Sequence, residues 1–342
     1  MSGIEDVARE AGVSKATASR ALTGHGYVAA ATRARVLRVA ETLGYVASSS
    51  ASSLATGRTR NIGVVMPYLN RWFFAEVLEG IQEVLLAQGF DLTLYDAKPG
   101  TDGRRRVFDD FLARKRFDGL IAVALEPDDH ELERLVAIGR PVVSVVGDSQ
   151  DTSVVRLDDM HAARRATAHL IDLGHERIAF LGGISDQDGA HVDRERLGGY
   201  HASMRDAGLT IEHAAADVSL PGGYDAAVDL LSDPERRPTA IVAACDEVAI
   251  GAIIAARRLG IAVPAALSVV GIDNHEYAEM FGLTTLEQSP REQGAAAAEL
   301  LLEQLRGAEA ERTEMRLQPR LIVRSSTSTP PGTASVAVGA VP

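Results

Sequence analysis

The sequence predicts an α/β protein: an all-α head followed by a two-lobed core built on parallel sheets. Three observations carry this. The first 45 residues repeat apolar positions at helical spacing and hold a local positive charge. From Asn61 the pattern switches to short apolar runs alternating with helical ones. That alternation then occurs a second time from Arg177, which gives two lobes with a cleft between them.

In the head, Ile4, Val7, Ala8 and Ala11 recur at helical spacing until Gly12 breaks the run. Ser14 suits the N-cap of a second helix that turns Ala18, Ala21 and Leu22 inward. Val36, Leu37, Ala40 and Leu43 mark a third helix ending near Gly44. The serine-rich "ASSSASSLATGRTR" (47–60) reads as a linker, or as a short helix too weak to form unaided.

The first set of strands is "NIGVVMP" (61–67), "FDLTLYD" (90–96), "DGLIAVA" (118–124) and "PVVSVV" (141–146). A helical pattern through Phe73, Phe74, Val77, Leu78, Ile81, Val84 and Leu85 joins the first two. The second set is "RIAFLGG" (177–183), "TAIVAA" (239–244) and "SVVGID" (268–273). Such alternation implies parallel sheets with helices on both faces. The closing "TSTPPGTASVAVGAVP" (327–342) has no core pattern and reads as a flexible tail.

Charge divides the chain functionally. Residues 1–60 hold eight basic and four acidic groups, a local +4, which leaves −16 on the remainder of a chain whose net charge is −12. A cationic head on an anionic body points the head alone at a polyanion. No apolar run approaches the roughly 18–20 residues of a membrane span, and the N-terminus lacks the pattern of a secretory signal. The single cysteine, Cys245, excludes an internal disulfide and any multi-cysteine zinc site. The chain is expected to be cytoplasmic, without metal or cofactor.

Helix, glycine turn and second helix within about twenty residues is the spacing of a helix-turn-helix. The second helix would present Lys15, Ala16 and Arg20 to a major groove, with Arg20 able to pair with guanine O6 and N7. Hydroxyls at Ser14, Thr17 and Ser19 can bind phosphates. The structural alternative is an ordinary helical hairpin with solvated charges.

Four stretches, "IEDVAREAGVSKATASRAL", "TRARVLRVAETLGY", "SSLATGRTRNIGVVMP" and "HLIDLGHERIAFLGG", resemble the successive signatures of the LacI/GalR family of bacterial repressors. The resemblance runs in order from about Ile4 to Arg324. It implies a homodimer of two-lobed cores, similar in fold to periplasmic sugar-binding proteins. Each core would carry a helix-turn-helix head through a hinge helix. The partners it implies are operator DNA and a small-molecule effector, expected to be a carbohydrate. By the same resemblance Lys15, Ala16 and Arg20 read bases, Thr23, Tyr27 and Arg33 contact the DNA backbone, and Leu54 is the hinge leucine that enters the minor groove. The expected organisation is head 1–46, hinge 47–60, core 61–326 and tail 327–342. Within the core, lobe 1 takes residues 61–158 and 287–326, and lobe 2 takes 159–286.

Ligands of open parallel sheets lie at the carboxyl ends of strands. Arg196 in "RERLGGY" matches the family arginine that grips ligand oxygens, its alternative being a helix-surface salt bridge. Asp273, after the strand "SVVGI", matches the family's strand-end aspartate, its alternative being an Asx turn. Phe73 in "RWFF" is a stacking aromatic or a core residue, Tyr224 walls the pocket or starts a helix, and Gln288 is a polar contact at a crossover strand. Cys245 stands where the family has a hydrogen-bonding asparagine, which makes the pocket less polar there.

Other departures are Ala47–Ser48 for a Pro-Asn pair, "ASSL" for "ARSL", Ala29 at the cap of the third helix, Tyr68 for an aspartate, and "RWFF" for "NPFF". They open an alternative reading, a small-molecule-binding protein or a regulator that responds to a non-sugar ligand such as a nucleoside. The lack of a phosphate loop, a dinucleotide fingerprint, a nucleophile elbow or paired metal-binding histidines argues against an enzyme, a rival that turnover of a bound ligand would revive.

Overall fold

The computed structural model describes residues 3–24, 26–45, 57–147, 152–183, 191–307 and 312–332. Three helices form the head: α1 (Ile4–Glu10), α2 (Lys15–Thr23) and α3 (Ala30–Thr42). The backbone N–H of Gly3 donates to the Asp6 carboxylate at 2.9 Å and opens α1. Gly12, at φ 62°, turns the chain out of it, in a conformation that costs glycine little. Ser14 Oγ then accepts from the Thr17 N–H at 3.1 Å and caps α2, as its position predicts. No side chain caps α3, because Ala29 has no oxygen to offer. Val7, Ala8, Ala11, Ala18, Ala21, Val36 and Ala40 bury into one small core. Leu54, expected to be the hinge leucine, lies with residues 46–56 outside the described residues.

The core follows in chain order as β1 (Asn61–Met66), α4 (Trp72–Ala87), β2 (Asp91–Asp96), α5 (Asp102–Arg106), β3 (Gly119–Val123), α6 (Asp129–Ala137), β4 (Val142–Val145) and β5 (Ser153–Leu157). Next come α7 (Asp159–Asp172), β6 (Ile178–Leu181), α8 (His191–Asp206), β7 (Glu212–Ala214), α9 (Leu220–Leu231), β8 (Ala240–Ala243), α10 (Asp246–Arg258), β9 (Ser268–Asp273) and β10 (Thr284–Glu287). The chain closes with α11 (Pro290–Leu305), β11 (Glu314–Leu317) and β12 (Arg320–Ile322). Two six-stranded sheets result, in the orders β11-β5-β4-β3-β1-β2 and β12-β10-β9-β8-β6-β7.

Every pairing is parallel except that of β12 with β10. β3, β6 and β8 are buried along their whole length, as strands covered by helices on both faces must be. In both sheets the order reverses direction beside the first strand, β1 or β6, so the carboxyl ends of β1 and β3 and of β6 and β8 frame a crevice. The chain passes between lobes at β5→α7, β10→α11 and β11→β12.

Two sequence boundaries need correction. β12 pairs antiparallel with β10, Thr285 opposite Ile322, so residues 320–326 belong to the second lobe and not the first. Ser326 seals this by donating to Val269 O at 2.6 Å and accepting from the Thr284 N–H at 2.8 Å. The tail expected from 327 also begins later. Thr327 Oγ1 bonds His169 Nε2 at 3.1 Å, and the Ser328 N–H donates to Ser268 Oγ at 3.0 Å. The Thr327 hydroxyl and the Ser328 N–H satisfy polar side chains of lobe 2, a role that apolar periodicity does not reveal. Residues 333–342 lie outside the described residues.

Candidate functional site

On the head, Ser14, Lys15, Ala16 and Arg20 form the exposed face of α2, with Thr17 and Ser19 half-buried beside them. Ser14 and Thr17 are also joined through their hydroxyls at 2.9 Å. Lys15 Nζ rests on Glu5 at 2.8 Å, which raises the ammonium pKa and lowers that of the carboxyl. This pair is solvated, so Lys15 can exchange its carboxylate for a phosphate or base edge at little cost. Arg20 lies along the helix with Nε donating to Ala16 O at 3.3 Å. Thr23 Oγ1 donates to Ser19 O, and Tyr27 is 92% exposed with its ring free for a partner surface. Arg33 is half-buried, and its Nε is a buried donor without a hydrogen-bond partner.

In the crevice, Arg196 projects from α8 and is buried. Its Nε donates to Asp159 Oδ1 at 2.8 Å and its Nη1 to Ala244 O at 2.6 Å. Burial works against its charge, but Asp159 and Asp273 more than offset this and raise its pKa. Asp159 lies at the start of α7, its carboxyl pushed up by burial and pulled back by Arg196. Asp273 ends β9 at φ 149°, a conformation side chains rarely adopt, and its Oδ1 accepts from Gln288 Nε2. Burial and the charge of Asp246 push the Asp273 carboxyl well up, while Arg196 pulls it down.

Gln288 in turn is held from α11, where Gln293 Nε2 donates to Gln288 O at 2.8 Å. Its amide therefore positions Asp273. Cys245 lies near Asp273 and Arg196 at the head of α10, its thiol pushed up by burial and by Asp273. It is a neutral wall, not a nucleophile. Phe73 packs edge-on against Phe74 at 5.3 Å, at the margin of the lobe 1 core.

Tyr224 is not brought to the crevice. Its hydroxyl accepts from Arg258, at the far end of α10 from Cys245. The Tyr224 backbone packs beside Gly251 in the middle of α10, and its ring turns toward Arg258 and not toward Cys245. A cavity of about 840 Å³ also lies elsewhere, over β3 and β4 beside α6 and lined by Leu125, Leu132, Val136 and Arg140.

The structure adds residues that pattern reading missed. Asp246 is fully buried, accepting from Thr285 Oγ1 at 2.6 Å and from the His275 N–H at 2.8 Å. Burial pushes its carboxyl up to about 6, against these two hydrogen bonds. Asp193, at the start of α8, has its carboxyl pushed up by burial and drawn back by Arg196. Trp72 stacks on His275 with ring centroids 4.8 Å apart. The available signal was adjacency: Asp246 follows Cys245, and His275 lies two residues beyond Asp273. Left-handed φ values at Ala124, Val146 and Ser289 mark other chain reversals where strands end or lobes cross.

The family model for bacterial regulatory proteins of the lacI family matches residues 3–48, and a periplasmic binding protein-like domain matches 167–327. The HTH-type transcriptional repressor PurR of Vibrio campbellii is 32% identical over 337 residues, covering 95% of this chain and 98% of the relative. The chain belongs to the lacI family. Among solved structures, the lac repressor dimer bound to operator and the anti-inducer ONPF aligns with a TM-score of 0.84 at 27% identity, over 96% of this chain and 99% of that one. A complex of the transcriptional regulator CelR with cellobiose aligns at 0.70 and 29% identity, over 95% and 100%. This lacI-family chain is a DNA-binding transcriptional regulator, with the head and the two-lobed core in their expected order. Among the described residues no helix is long and apolar enough to cross a membrane.

Proposed function

We propose that the protein represses transcription as a cytoplasmic homodimer, its heads reading an inverted-repeat operator and its crevice binding a small polar effector that changes operator affinity. The observation that carries the effector half is the buried pair Arg196 and Asp273, opposite charges converging where the sheet order reverses. A guanidinium fork and a carboxylate suit adjacent hydroxyls, with a carbohydrate as the first class to test. The structure similar to a cellobiose-bound regulator supports that choice. A nucleoside-type ligand is the second class, favoured by Cys245, which makes one wall less polar. Lys15, Ala16 and Arg20 read bases, while Thr23, Tyr27 and Arg33 contact the backbone, because they occupy the exposed side of the head or its margin. The chain carries out no catalysis in this reading.

The experiment is a thermal-shift screen with sugars, sugar phosphates and nucleosides, since a ligand that binds only the folded state raises its melting point. A compound that raises the melting temperature of the wild type but not of Arg196→Ala, and that alters operator affinity, establishes the effector. Stabilisation that is the same in both proteins would place the binding outside the crevice.

A further inference from the structure

Trp72 is the only tryptophan in the chain, and with Arg71 it forms the dipeptide where "RWFF" departs from the family pattern. The Trp72 side chain addresses the opposite lobe. Trp72 opens α4 in lobe 1, and its ring lies 4.8 Å from that of His275 with the planes at 37°. His275 belongs to lobe 2 and is locked there from two sides. Its own N–H donates to Asp246 Oδ2 at 2.8 Å, and its Nδ1 accepts from the Tyr277 N–H at 3.0 Å. The Tyr277 ring stands a further 4.9 Å away, so the imidazole is held in place when Trp72 meets it.

Arg71 stays within lobe 1, its guanidinium 4.0 Å over the Tyr68 ring. Separating the lobes would uncover the Trp72 indole, which opposes opening.

We propose that Trp72 forms the clasp that holds the lobes closed over the crevice by gripping His275. This rests on the crevice being the effector site, since closure matters only there. Trp72 is a positioning residue: it sets how far the lobes close and need not touch the effector.

A lone tryptophan makes the test direct, because intrinsic fluorescence then reports this one position. Acrylamide quenching and small-angle X-ray scattering are measured on the full-length, ligand-free protein as wild type, His275→Ala and His275→Phe, with circular dichroism confirming that each is folded. His275→Ala is expected to raise the quenching constant about twofold or more as open forms gain population, with emission shifted to the red. His275→Phe keeps a ring under the indole and is expected to stay close to wild type. A larger radius of gyration in His275→Ala reports parting lobes and not the loss of a local cover. Unchanged quenching in His275→Ala would overturn the stack. A rise in quenching with an unchanged radius of gyration would overturn the clasp and leave a local contact. No effector is used, so failure here leaves the effector reading to the screen described above.

Discussion

Arg196 and Asp273 place opposite charges out of water in one crevice, and the protein leaves part of each available. Arg196 uses Nε and Nη1 for Asp159 and Ala244, and Asp273 uses Oδ1 for Gln288. Replacing either with alanine is expected to weaken effector binding by about 1.5–3 kcal/mol or more, with ligand-free operator affinity intact. Titration calorimetry with the effector checks this, and melting curves monitor the Asp159 carboxylate that Arg196→Ala strands. Asp246 gives a pH signature. Its carboxyl lies near 6 in the fold against 3.8 as its ordinary value, so between these pH values the folded state holds more protons than the unfolded one. The stability it contributes is fully present below the lower value and is lost as pH rises through about 6. Asp246→Asn can accept from the His275 N–H and donate to Thr285 Oγ1. Urea denaturation at two pH values on either side of that window is expected to show a smaller decline for the asparagine variant than for wild type.

At the scale of elements, neighbouring glycines in α8 separate packing from propensity. A Cβ at Gly199 would stand 2.3 Å from Met160 O, whereas one at Gly198 would meet only the tip of the Met160 side chain at 3.6 Å. Gly199→Ala must push α7 and α8 apart and is expected to destabilise by about 1–3 kcal/mol. Gly198→Ala is expected to stabilise by about 0.4–1 kcal/mol, since alanine loses less backbone freedom on folding. Chemical denaturation of both variants decides it. The hinge carries a further expectation. If Leu54 enters the minor groove, Leu54→Ala weakens operator binding far more than binding to random duplex and leaves the salt slope unchanged, because no cation is lost. Affinities for both DNAs across a salt series check this, and equal losses would reduce the hinge to a tether.

The elements themselves were legible because apolar period and turn residues agree: Ser14 caps, Gly12 turns, and the runs at 61–67, 118–124 and 268–273 are strands. β12 and the docking of Thr327 and Ser328 were not, since short polar segments gain their structure from hydrogen bonds to distant residues. The site divides the same way. Asp273 ends β9, where motif and strand end coincide, whereas Arg196 lies within α8, where only the motif points to it; both are buried. Tyr224 shared the local pattern but faces Arg258, and the partner that holds Arg196, Asp159, is 37 residues away in sequence. Contact across such separations is set by topology, which local periodicity does not encode.

Across the whole molecule, a head of local charge +4 sits on a body of −16. Phosphate attraction is therefore confined to one end, and the body opposes any other approach to DNA. We propose that the exposed Lys15 and Arg20 on one face of α2 form the reading surface, and two heads are needed to read two half-sites. The measurement that tests this most directly is selection of binding sites from random DNA by the full-length protein, with Arg20→Ala run in parallel. The expected result is an inverted repeat for the wild type. The variant is expected to lose discrimination at one position per half-site, a penalty of about 1–3 kcal/mol. Enrichment of single half-sites, or of no sequence at all, would contradict the account of a dimeric operator-reading regulator.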